Sequence, residues 1–185
     1  MNLQNLRWHI VAATMAVTVA LLFGVSYVLN SQTVEQPLKA MLAGSAQVDS
    51  HRIERQGSRY VITVKLKDVP DLAQAYRTLH DEAGKVLKGA DFALQVEDSR
   101  SPKLEDTYRR VNLYVQEALA TGQYAAMADR VEAEAEKHGL TARMAVEGDR
   151  VFVQLHDGQA YLYGVAERPA KETEKQYRTE GGFGL

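Results

Sequence analysis

The groups able to do chemistry in this chain are its 5 histidines and 24 carboxylates. With no cysteine it has no thiolate nucleophile, no cysteine-bound zinc and no disulfide framework. The histidines are His9, His51, His80, His138 and His156, and no two stand four residues apart, the spacing that turns two imidazoles toward one metal from one helix face. His80, Asp81 and Glu82 put three potential ligands in a row, but consecutive helical side chains project about 100° apart and cannot share one ion. A solvated helix face explains them. Asp91, Glu97 and Asp98 with Glu105 and Asp106 would form an acidic rim suited to a divalent cation or an acid/base pair; ordinary loop and helix-start carboxylates account for them better. The chain contains no G-x-S-x-G, S-x-x-K or H-E-x-x-H run. We therefore expect no catalytic residue, no metal ligand and no cofactor, and the chain reads as a non-enzyme.

A polyanion partner is also unexpected. The net charge is -2 and the isoelectric point is near 6.2. Arg52, Arg55, Arg59, Lys65 and Lys67 do collect on one β-rich stretch around Tyr60. Alternation, however, sends Tyr60 to the apolar side, away from the cations, so the stacking platform that nucleic acid requires is missing. A solvated or edge-protecting face, or one touching anionic headgroups, suits this basic set.

The elements that must carry these residues begin with an apolar stretch. Residues 10–29 read IVAATMAVTVALLFGVSYVL, 20 residues without a charge. At about 1.5 Å per residue a helix of that length crosses the roughly 30 Å hydrocarbon layer of a bilayer. Trp8 and Tyr27 stand near its ends, where amphipathic rings prefer the interface. A cleaved secretory signal would be shorter and end at a small-x-small site, which GVSYVLNSQ does not supply. This predicts a single-pass helix over 10–29 in a bacterial cell membrane, with residues 1–9 cytoplasmic, the bulk of the chain outside and the lipid bilayer as a partner. Within the stretch Ala12, Ala16, Ala20 and Gly24 recur every four residues, a small-residue stripe that would let two such helices pack closely. The frequency of alanine in such helices explains the stripe as well.

At 185 residues the chain has room for one core with an appendage. Residues 30–47 read as a linker with a short helix around Leu38 to Leu42. An α+β domain is expected over 48–168, in the order β-β-α-β-α-α-β-β-β, with helices on one side of a mostly antiparallel sheet, built either as one continuous sheet or as two small lobes. Gln56-Gly57 is placed as the loop of the first hairpin, with Ile53 opposite Tyr60. Asp68 is read as the cap of the next helix, whose stripe is Leu72, Tyr76, Leu79, Ala83, Val86 and Leu87. Ser101-Pro102 opens a second helix that Gly122 closes, and Met127, Val131 and Ala135 mark a third. Gly148-Asp149 and Asp157-Gly158 are placed as the loops of a closing three-stranded meander. The tail 169–185 has mixed charge and no periodicity, and reads as disordered.

The meander carries the candidate site. One face takes the core residues, and the other receives Phe152, Tyr161, Tyr163 and Val165, apolar where water-facing residues are expected. Either this face is covered within the chain or it is open to a partner. The expected function is an interaction or assembly module, self-association included; the alternative is a tethered binder of a small ligand or a cell-envelope polymer.

Overall fold

Alternation in the β-rich stretches builds two separate three-stranded sheets, as a computed structural model of the chain shows; it describes residues 13–21 and 34–168. The chain divides into two compact units, Met1–Asp98 and Ser99–Leu185. The α+β class stands.

The membrane-spanning helix expected over 10–29 is corrected. No helix among the described residues is long and apolar enough to cross a membrane. Residues 13–21 are helical (α1), and all nine are exposed. The remainder of 10–29 and the amino end 1–9 lie outside the described residues, as does the tail 169–185. The single-pass placement in a cell membrane, with a cytoplasmic amino end, rested on that helix and falls with it.

The first unit contains helix α2 (Gln36–Gly44), strands β1 (Val48–Gln56) and β2 (Arg59–Leu66), helix α3 (Leu72–Leu87) and strand β3 (Phe92–Glu97). Leu38 and Leu42 of α2 are fully buried, and α2 packs on α3 and β1, so the stretch read as a linker is part of the fold. β1 pairs antiparallel with β2, and β2 pairs parallel with β3, which requires the crossover through α3. The first hairpin turns at Gly57-Ser58, one residue later than expected, so Ile53 faces Ile62 and Arg55 faces Tyr60. Gly57 has φ 64°, and the left-handed conformation it supplies is needed at the first loop position. The expected loop had put the glycine second. Because the slip moves the pairing by two residues, Ile53 stays on the side of Tyr60, Ile62 and Val64.

Asp71, not Asp68, caps α3: its carboxylate accepts the Gln74 N–H at 2.9 Å. Pro70 disfavours helical geometry at Val69, so the helix starts only after it. The expected stripe is buried at Leu72, Tyr76, Leu79, Ala83 and Leu87.

The second unit contains α4 (Pro102–Thr121), α5 (Tyr124–Lys137) and the meander β4 (Thr141–Glu147), β5 (Arg150–Asp157) and β6 (Ala160–Glu167). α4 begins and ends where its sequence signals stand. The Ser101 hydroxyl accepts the Leu104 N–H at 3.3 Å, and Gly122 takes the left-handed conformation past the end. Leu104, Val111, Val115 and Leu119 of α4 join Met127, Val131 and Ala135 of α5 and Val151, Val153, Leu155 and Leu162 of the sheet in one core. Gly148-Asp149 forms the first loop as expected, pairing Glu147 with Arg150. The second loop is Gly158-Gln159, with glycine again first and φ 63°, so Leu155 faces Leu162 and Val153 faces Gly164.

Candidate functional site

Phe152, Tyr161, Tyr163 and Val165 do share one sheet face. Phe152 stands opposite Val165, and Gln154 opposite Tyr163, across β5 and β6. The Tyr161 and Tyr163 rings lie 5.1 Å apart between centroids. Phe152, Tyr161 and Tyr163 are 3%, 9% and 4% exposed and Val165 is half-buried, so the face offers a partner no open apolar patch. β5 is buried on both faces, as a continuous apolar run implies.

The small-residue stripe is only partly described. Ala16 and Ala20 lie one turn apart on α1, both exposed, while Ala12 and Gly24 are outside the described residues.

The groups that could do chemistry are dispersed. His80 lies between the rings of Tyr76, at 6.0 Å, and Phe92, at 4.8 Å, and its Nδ1 is 3.8 Å from Asp81. Sequence reading missed this packing, although Tyr76 stands one helical turn before it. His156 approaches the Tyr161 ring at 6.4 Å, and His9 lies outside the described residues. Among the described residues no three His, Asp or Glu side chains cluster as a metal would need. In the proposed acidic rim, Asp91 sits 3.4 Å from Arg59, and Arg109 lies within 3.9 Å of Glu105 and 3.3 Å of Asp106. The cations of the first hairpin are similarly engaged: Lys65 is 3.9 Å from Asp49, Lys67 donates to the Ala46 carbonyl at 3.0 Å, and Arg55 lies over the Tyr60 ring at 5.7 Å.

The densest charge constellation was not foreseen. Glu134 lies on α5 with its side chain 3% exposed. Lys137 Nζ is 3.2 Å from it, and Arg110 and His138 are each 3.4 Å away. Hydrogen bonding from Lys137 holds its carboxyl below the ordinary range, with further help from His138 and Arg110, while burial pulls the other way. The signal was present in sequence, since Glu134 falls three residues after Val131 on the apolar stripe. Because Arg110 belongs to α4, the network joins two helices, and it presents no hollow to a substrate.

The first unit has a groove of about 450 Å³ lined by Ala40, Met41, Gly44, Ala46, Thr78 and Glu82, among others. Glu82 is its one charge, and the Thr78 hydroxyl is turned to the Gln74 carbonyl at 2.9 Å. Ser45 and Gln47 are its other polar lining residues.

The sheet edges differ more sharply. In the second unit β6 is met on its outer side by Ser99, whose carbonyl accepts the Tyr161 N–H at 3.0 Å. β4 is the other edge, and no described strand pairs with its outer side. It carries the apolar run Met144-Ala145-Val146, and Val146 is 41% exposed. No protein-family model matches the chain, and no curated protein is significantly similar to it.

Proposed function

We propose that the chain is a non-enzymatic interaction module that joins another polypeptide through a sheet edge. The observation that carries this reading is β4, an edge strand with an apolar centre and an exposed valine. An edge strand presents main-chain donors and acceptors in a row, so an added strand gains affinity from the backbone and specificity from alternate side chains. Edges not meant to pair carry charges, proline or bulges. β4 has one arginine and one glutamate and neither of the other two devices.

The test is site-specific photo-crosslinking in the cells that make the protein. A photoreactive residue at Ala145 in the full-length chain is expected to give adducts of discrete mass containing a polypeptide. The same residue at Arg109, on the exposed side of α4, gives none. Identical patterns at the two positions, or no adduct at Ala145, would overturn the reading.

A further inference from the structure

We infer that the strand received by β4 is the β4 of a second copy of this chain, antiparallel about a two-fold axis through Ala145. The inference rests on the edge-docking reading above and names the partner. In a two-residue hairpin the residues flanking the loop bond each other, here Glu147 and Arg150. Ladder bonds recur every second residue, so β4 bonds β5 through Thr141, Arg143, Ala145 and Glu147. The N–H and C=O groups of Ala142, Met144 and Val146 therefore point to the outer edge.

That edge is complementary to itself. With the two Ala145 residues opposite each other, Arg143 of each copy faces Glu147 of the other, and Met144 of each faces Val146 of the other. The Met144–Val146 pairs join residues whose main-chain groups both point outward, giving about four main-chain bonds across the axis. They also cover Val146, the residue the monomer leaves exposed. The Arg–Glu pairs occupy the opposite face of the strand, and because they are crosswise they select the antiparallel arrangement. The product is one six-stranded sheet with the two β4 strands at its centre.

Two of the other edges, β1 and β6, do not offer this. β1 carries Asp49, His51, Arg52, Glu54 and Arg55, and its pairing has an irregularity between Val48 and Ser50, both of which are edge protections. β6 is met by Ser99.

Because the chain has no cysteine, one introduced cysteine reports the contact. In the proposed register Ala145 opposes its own copy as a non-hydrogen-bonded pair, with Cα atoms about 4.5 Å apart, within disulfide reach. Thr141 is four residues from the axis, which separates its two copies by roughly 27 Å. On mild oxidation of the dilute full-length protein, Ala145→Cys is expected to form a disulfide-linked dimer and Thr141→Cys to remain monomeric. Sedimentation measures the second arm. Arg143→Glu sets two like-charge pairs across the axis and is expected to weaken self-association about tenfold. The double variant Arg143→Glu/Glu147→Arg restores it, which a mere folding defect would not. Equal crosslinking at the two cysteine positions, or no rescue by the double variant, overturns the proposal. Should photo-crosslinking at Ala145 capture a different polypeptide while Ala145→Cys fails to dimerise, the self-pairing falls and the edge-docking reading stands. If neither gives an adduct, both fall.

Discussion

A carboxylate on the apolar stripe of a helix stays ionised only where cations or hydrogen-bond donors reach it, and Glu134 is reached by Lys137 and Arg110, with the His138 ring beside them. The Lys137 hydrogen bond is the largest influence on its acidity, and the net effect is a carboxyl held below its ordinary range. The sign of the consequence follows from linkage. A group whose folded pKa is depressed adds stability above its unfolded pKa, and that contribution is lost as pH falls through the folded one. The exposure of Lys137 and Arg110 to water limits its size. Glu134→Gln is therefore expected to lower stability by about 1 kcal/mol at neutral pH. In urea unfolding repeated down a pH series, the gap between the two proteins should close as the solution becomes more acidic than the ordinary carboxylate range. A gap that does not change with pH would mean that Glu134 acts by shape and not by charge.

At the scale of elements, α4 is held on the sheet by a fit between one glycine and one ring. Gly164 of β6 stands where a Cβ would overlap the Tyr108 ring of α4, so the missing side chain is what lets the ring lie against the strand. Gly164→Ala is expected to cost about 1–3 kcal/mol through overpacking. Most of that loss should vanish when Tyr108 is already alanine, a coupling that a double-mutant cycle by thermal unfolding reads directly. Full additivity would place the strain elsewhere. α4 was also the element most legible in the sequence, because Ser101-Pro102 and Gly122 are unambiguous local signals. α3 was misread at its start because Asp68 and Asp71 both precede the apolar stripe, and only the position of Pro70 between them decides. Two hairpin loops were placed one residue early. A glycine fits either loop position, and side-chain alternation fixes the face but not the partner. Glu134 escaped notice because apolar periodicity is read by counting apolar residues, and a charge on the stripe is passed over. The covered face around Phe152 and Tyr163 could be seen in sequence as apolar, but burial depends on contacts that no local pattern encodes.

Two separate three-stranded sheets set what the whole molecule can do, because each sheet has one interior strand and two edges. The six strands expected from the sequence would have suited one continuous sheet, but those described here divide three and three, with Ser99 at the boundary of the two units. β5 is bonded by β4 on one side and β6 on the other and is buried on both faces. Opening it requires loss of the whole second unit, whereas the outward amides of β4 need only shed solvent or a partner. In native-state hydrogen exchange of the full-length chain, the β5 amides are expected to be the slowest of the second unit. The amides of Ala142, Met144 and Val146 should exchange at least about 100-fold faster in dilute protein, a difference of roughly 3 kcal/mol in opening free energy. Raising the protein concentration should slow those three amides and leave β5 unchanged, since a second β4 strand protects only the groups that point outward. Protection of Ala142, Met144 and Val146 that equals that of β5 at every concentration would show that the edge is closed within one chain, and the molecule would then have to meet its partner through another surface.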